Sequence, residues 1–329
     1  MAKVINGKSI PNMPWQDKPV DCDEVFWRYT ENPILSYKDI KKANTLFNSS
    51  VITFNGEFRG VFRCDRTDML PKLHVGKSKD GIHWDINDEP LEFENKIDGV
   101  PYEYGYDPRV CELDGRYYIV WCTGMANWDP TIGMAYTDDF EKFYHMENAF
   151  LPYNRNGVLF PRKINGKYVM FSRPSEAGHG TLGAGSIYYS ESPDLTYWGK
   201  HRLVMSPAGG WQSGKIGGGP TPIETDEGWL LIYHGVKGTC NGLCYCAGAA
   251  LLDLDDPTKV LYRTKHYVLG PREIYERAGD VPNVVFPVST LCDADTGRIA
   301  LYYGAADTYV GVAFTTVDEL IKFTKENSI

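Results

Sequence analysis

The sequence lacks a basic surplus, a long apolar run and a cysteine pair at metal-binding spacing. Its 34 Lys and Arg stand against 43 Asp and Glu, a formal net charge of −9. A general nucleic-acid binder needs the opposite sign, so no nucleic-acid partner is expected. The same balance sets a first expectation against anionic substrates. No apolar stretch approaches the roughly 18 residues that span a bilayer, and residues 1–14 have no apolar core of the signal-peptide type. A cytoplasmic chain with no membrane partner is the expectation. Of the eight cysteines, Cys64, Cys111, Cys122, Cys246 and Cys292 lie within or beside apolar runs, where a thiol acts as a small hydrophobe. Cys240, Cys244 and Cys246 cluster, but at no zinc-pair spacing, so no metal is expected there.

Two further motifs are incomplete. Residues 209–216 resemble a phosphate loop, but Ile216 stands where Ser or Thr is required, and Gly217-Gly218-Gly219-Pro220 forbids the helix that should follow. Asp253-Leu254-Asp255-Asp256-Pro257 is acidic enough for calcium, yet lacks the glycine and distal glutamate of a calcium loop.

What is present is a repeat. A β-rich run, a turn containing glycine and a second β-rich run recur at 48–65, 107–123, 160–173, 219–235 and 286–307, with turns at Gly56, Gly115, Gly166, Gly228 and Gly297. Asn55-Gly56, Asp114-Gly115 and Asn165-Gly166 tolerate the positive φ that tight hairpins need. The flanking runs are β-branched and aromatic. An acidic turn follows each hairpin, as at Ser78-Lys79-Asp80, Thr137-Asp138-Asp139 and Ser190 to Asp194. The last copy instead opens a helix, with Thr316 as N-cap and Leu320, Ile321 and Phe323 on its apolar face. Units of about four strands in about 50–70 residues, repeated radially, make a propeller. The expectation is an all-β, five-bladed β-propeller forming one catalytic domain over 1–329. Residues 1–45 are expected as an arm that wraps the outside or closes the ring, and 316–329 as a C-terminal helix.

In a hairpin, the start of the first strand and the end of the second lie side by side, opposite the turn. If the hairpins are the inner strands of the blades, those ends meet at one mouth of the channel. They carry Asn48, Ser49, Arg63 and Asp65; Asp107, Arg109 and Thr123; Asn154, Arg155, Asn156, Arg162 and Arg173; Lys215 and His234; and Asp307. Several cations beside few carboxylates suit an anion held next to a polyol, because arginine presents a planar fork that matches phosphate.

Longer runs carry a resemblance: Phe47-Asn48-Ser49, Tyr106-Asp107-Pro108-Arg109, 154–162, Lys215-Ile216-Gly217, Tyr233-His234-Gly235-Val236 and 302–307. With them the chain resembles glycoside hydrolase family 130, the β-mannoside phosphorylases on a five-bladed propeller. In length it looks most like the branch acting on β-1,4-mannooligosaccharides. The resemblance implies inverting, reversible phosphorolysis to α-D-mannose 1-phosphate and a shortened oligosaccharide, with inorganic phosphate as co-substrate and no other cofactor. It implies Asp107 as general acid, its proton passing through a sugar hydroxyl. It implies Arg155, Asn156, Arg173, His234 and Tyr245 around phosphate, and Asn48, Ser49, Arg63, Asp65, Lys215 and Asp307 around mannose. Trp128 and His179 are expected on the acceptor side, and a homo-oligomer is expected. An inverting glycosidase needs a base to activate water, whereas phosphate is already a nucleophile and needs only cations to hold it in line. Other β-mannoside phosphorylases, an inverting β-mannosidase and a non-catalytic sugar-binding propeller remain the alternatives.

Overall fold

Paired residues of positive φ close three inner hairpins. Asn55, Asp114 and Asn165 lie at φ of 50°, 52° and 50°, and Gly56, Gly115 and Gly166 follow at 78°, 76° and 75°. Two successive positive values give the tight turn whose twist matches the flanking strands. The computed structural model describes residues 2–100, 102–124, 129–175 and 185–329.

Among the described residues the strands form five antiparallel sheets, four of them hydrogen-bonded in sequence order from the channel outward. Blade 1 comprises Ala43–Phe54, Glu57–Arg66, Pro71–Ser78 and Asp85–Ile86. Blade 2 comprises Tyr106–Leu113, Arg116–Thr123, Thr131–Thr137 and Tyr144–Met146. Blade 3 comprises Asn154–Leu159, Tyr168–Pro174, Ile187–Ser192 and Gly199–Met205. Blade 4 comprises Lys215–Gly218, Gly228–Thr239, Gly242–Leu252 and Val260–Arg263, with Ile223–Thr225 also paired to its second strand. Blade 5 takes Val285–Cys292, Arg298–Ala305 and Tyr309–Thr316 from the end of the chain.

The fourth strand of blade 5 comes from the arm. Trp27–Arg28 pairs with Tyr309–Thr316, Trp27 opposite Phe314. The arm therefore closes the ring by joining the two ends of the chain in one sheet. It also covers an edge that would otherwise offer unpaired backbone groups. Thr316 caps the helix Val317–Glu326, accepting from Glu319 N. A four-residue helix, Ile274–Arg277, is the other α-helix among the described residues, and none is long and apolar enough to cross a membrane.

The core lies between blades. Val158, Phe160 and Phe171 of blade 3 meet Ile216, Trp229 and Tyr233 of blade 4. Phe160 packs edge-on against Phe171 at 4.9 Å and Trp229 at 5.0 Å. Full burial of each such ring contributes about 1.5–3 kcal/mol. Between blades 5 and 1 the arm joins in, with Ile10, Met13, Trp27 and Leu35 beside Phe58, Phe62, Tyr302 and Phe314.

The acidic turns follow a shared pattern in three blades. Ser78 Oγ accepts from Gly81 N, and Asp80 Oδ1 from Ile82 N and His83 N. Thr137 with Asp139, and Ser192 with Asp194, repeat this geometry. The hydroxyl of blade 3 is Ser192 rather than Ser190, whose Oγ is hydrogen-bonded to His201 Nδ1. These turns sit on the outer strands, away from the channel.

Candidate active site

Four of the five inner strands break register, in blade 5 between Pro287 and Ser289, and three of the breaks carry a polar residue of positive φ near the same end. In those three the ladder shifts between Phe47 and Ser50, between Tyr106 and Arg109, and between Arg155 and Val158. The residues of positive φ are Asn48 at 44°, Asp107 at 52° and Asn156 at 52°. A bulge re-aims one side chain, and Asn and Asp bear this backbone better than other non-glycine residues. Each of the three bulges thus sets a polar side chain at the site.

Two glycines supply the space. A Cβ at Gly304 would lie 1.8 Å from Asn48 Oδ1. At Gly217 it would lie 2.6 Å from His234 Cε1 and 2.8 Å from Asn156 Oδ1. Any larger residue would displace these groups.

One half of the site centres on Arg63. Its Nε and Nη2 donate to the two oxygens of Asp65 at 2.8 and 2.9 Å, and its Nη1 donates to Asp107 Oδ1 at 2.9 Å. Asn48 Nδ2 donates to the same Asp107 oxygen at 2.7 Å. The guanidinium lies 4.0 Å from the centre of the Phe47 ring and 5.1 Å from that of Tyr106. Burial disfavours its charge, but Asp65 and Asp107 outweigh that and hold its pKa above the usual arginine value. Asp307, with φ of 47°, completes this half. Burial pushes its carboxyl up to about 7; Arg63 opposes the shift, and Asp107 and Asp65 add to it.

The other half is cationic. Arg173 Nη1 lies 3.0 Å from His234 Nε2, and both residues are buried. Arginine only donates, so Nε2 accepts and the imidazole proton is assigned to Nδ1. Burial, then Arg173, Arg109 and Lys215, keep the His234 pKa well below its usual value. Lys215 Nζ sits 5.6 Å from the centre of the Tyr245 ring. Burial, then Arg173 and Arg155, lower its pKa to about 8. Burial also pushes the Tyr245 hydroxyl up to about 12, against the pull of Arg173. His234 packs on Phe286 at 4.4 Å.

Several polar atoms here have no hydrogen-bond partner among the described residues although they are buried. They are Asn48 Oδ1, Asn156 Oδ1, Arg155 Nε, Arg173 Nε and His234 Nδ1. Buried polar groups are normally paired. Their concentration at one end of the channel marks a place built for a polar ligand. No group of three or more His, Cys, Asp or Glu is placed to hold a metal ion among the described residues.

Asn48, Arg63, Asp65, Asp107 and Asp307 thus form one set, and Arg155, Asn156, Arg173, Lys215, His234 and Tyr245 a facing one. Ser49 differs: its hydroxyl donates to Phe47 O at 3.2 Å, within its own bulge. Trp128 and His179 lie outside the described residues. Arg162 does not reach this mouth. The first strand of blade 3 ends at Leu159, so Arg162 falls toward the hairpin turns, where its Nε and Nη2 bond Glu224 Oε1 at 2.8 and 2.5 Å. That opposite cleft also holds Asn6 and Glu112. Tyr106 and Phe286 border the site but were not signalled by charge, since both are aromatics in strand-like runs.

A family model described as β-1,4-mannooligosaccharide phosphorylase matches residues 6–326. A β-1,4-mannooligosaccharide phosphorylase of Ruminococcus albus is 55% identical, over 99% of this chain and 98% of that protein. A 1,2-β-oligomannan phosphorylase of Thermoanaerobacter sp. is 34% identical, over 90% and 98%. The solved β-1,2-mannobiose phosphorylase of Listeria innocua, in complex with β-1,2-mannobiose, superimposes with a TM-score of 0.80 at 29% identity, covering 92% of this chain and 99% of that one. The match of the family model over 6–326 and the 55% identity across nearly the whole chain, on a fold of five blades, place the chain in glycoside hydrolase family 130.

Proposed function

We propose that the protein is an inverting phosphorylase of β-1,4-linked mannooligosaccharides. It transfers the terminal mannosyl unit to inorganic phosphate, giving α-D-mannose 1-phosphate and a shortened oligosaccharide, and runs in either direction. The observation that carries the reading is the facing of Asp107 by a cationic set, buried Arg173 with half-buried Arg155 and Lys215, beside buried, neutral His234. The similarity to the Ruminococcus albus phosphorylase supports the β-1,4 linkage.

On this reading Arg155, Asn156, Arg173, His234 and Tyr245 hold phosphate. Asn48, Ser49, Arg63, Asp65, Lys215 and Asp307 surround the mannosyl unit. Phosphate attacks the anomeric carbon from the cationic side, and Asp107 supplies the proton that the departing oxygen takes up, through a sugar hydroxyl. Hydrolysis would require a base to deprotonate water on the attacking face. The described side chains there are cations, an amide, a phenol and the His234 imidazole, whose Nε2 is taken up by Arg173 and whose basicity is lowered by burial and neighbouring cations, so they orient an anion and are poor bases for water. The enzyme is read as a cytoplasmic homo-oligomer that needs no metal or organic cofactor.

The test is to incubate β-1,4-mannobiose and longer oligomers with and without phosphate and to separate mannose from mannose 1-phosphate. Phosphate-dependent release of mannose 1-phosphate is expected. Release of free mannose without phosphate would mean a mannosidase, and binding without turnover a sugar-binding propeller.

A further inference from the structure

Arg109 lies two residues beyond Asp107 on the same inner strand, and only 2% of it is exposed. Its guanidinium is satisfied by main-chain oxygens. Nε donates to Gly219 O at 2.7 Å, Nη2 to Gly218 O at 2.9 Å and Nη1 to Asp107 O at 3.1 Å. The first two belong to blade 4 and the third to blade 2. Arg109 therefore spans the channel beneath the site. It also approaches blade 5, lying 5.9 Å from the centre of the Phe286 ring on which His234 packs.

Both ends of this span matter. Asp107 sits in a bulge at positive φ, a conformation that persists only when its surroundings hold it. Gly217, beside the other end, is the cross-strand partner of His234. A planar guanidinium with fixed donor directions is a stiffer connector than an ammonium on a flexible stem. Burying a cation without a bonded carboxylate is costly, so three carbonyls arranged around it are a specific arrangement, not a solvated side chain.

We propose that Arg109 is a positioning residue that fixes the separation between the acid, Asp107, and the anion-holding groups around His234. The inference rests on the phosphorylase reading above. In that reaction the acid and phosphate act on opposite faces of one anomeric carbon, so their spacing enters the rate directly. A misplacement of about 1 Å can cost about 10²-fold.

The experiment is a double-mutant cycle on the full chain, with Arg109→Lys and Arg109→Met, each alone and combined with Asp107→Asn. Arg109→Lys keeps the charge and is the variant used if Arg109→Met does not fold. The expected result is a kcat lowered by about 10²-fold in Arg109→Lys, with KM for phosphate changed by less than about threefold. Asp107→Asn should then cost much less in the Arg109→Lys background than in the wild type, because an acid already misplaced has less to lose. A purely structural role would lower the active fraction and leave the full Asp107→Asn factor intact. Arg162→Gln, at the blade 3–4 contact on the opposite face, is the control and should be additive with Asp107→Asn. Full additivity at Arg109, or a loss seen only in KM for phosphate, would overturn the inference while leaving the phosphorylase reading standing. A wild type that releases no mannose 1-phosphate would overturn that reading, and this inference with it.

Discussion

Arg173 donates through Nη1 to His234 Nε2 at 3.0 Å, and neither side chain has solvent to fall back on. The contact holds only while the imidazole is neutral, because a protonated ring would present a second donor to a cation. Burial and the neighbouring cations keep it neutral. The pair therefore acts as a fixed donor array across neutral pH. Arg173→Ala should raise KM for phosphate by about 10- to 100-fold, the range of a charge-assisted hydrogen bond. Steady-state kinetics with phosphate varied checks this. An unchanged KM for phosphate would remove Arg173 from the anion site.

Asp107→Asn keeps the side-chain shape and can still accept from Asn48 and Arg63 through its carbonyl oxygen. The fold should survive, with a melting temperature within a few degrees of wild type. Activity should fall by about 10²–10⁴-fold, the usual contribution of a positioned acid. Near-wild-type activity would mean that another group supplies the proton.

Lys215 provides a pH signature. Its pKa, lowered by burial and then by Arg173 and Arg155, is about 8. The ammonium is charged below that value and lost above it. Lys215 is assigned to the mannosyl side but lies beside Tyr245, Arg173 and Arg155 of the phosphate set, so loss of its charge should weaken phosphate affinity as pH rises from 7 to 9. Lys215→Arg, charged throughout this range, should flatten the profile even if its absolute affinity differs. An identical profile in the variant would assign the pH dependence to another group.

Asp307 shows that the site is not optimised for stability. Its pKa is raised from 3.8 to about 7, mainly by burial. The folded state holds that proton more tightly than the unfolded chain does. Its favourable contribution is thus present below about pH 4 and is lost as pH rises to about 7. Asp307→Asn should be more stable than wild type at pH 8 by about 1–2 kcal/mol, seen as a higher melting temperature, and show little gain at pH 4. It should also lose activity. Paired melting curves at the two pH values check the sign, and a loss of stability at pH 8 would contradict it.

Prolonged dialysis against a chelator should leave both the rate and the melting temperature unchanged. Inactivation that a divalent cation reverses would contradict the cofactor-free reading.

The sequence by itself determined the repeat, and with it the five blades. Asn-Gly and Asp-Gly turns depend on local φ preferences, and strand alternation depends on nearest neighbours, so both are legible one segment at a time. Closure of the ring by Trp27–Arg28 was legible only as one of two paths for the arm, because strand pairing across most of the chain leaves no local mark. The same limit explains Arg162. Position in a repeat suggested the mouth, but the actual length of the first strand of blade 3 sends it to Glu224.

Charge at the strand ends announced an anion site despite the net −9, since a local cluster is independent of the global sum. Only the tertiary structure decided which charges pair. Arg63 joins Asp65 to Asp107, while Arg173 meets an imidazole. Arg109, close in sequence to the acid, turns two of its three bonded donors to the backbone of a blade more than a hundred residues away. These roles depend on what lies across the channel. That is set by the bulges at Asn48, Asp107 and Asn156 and by the space left at Gly217 and Gly304, features that exist only once the blades are assembled.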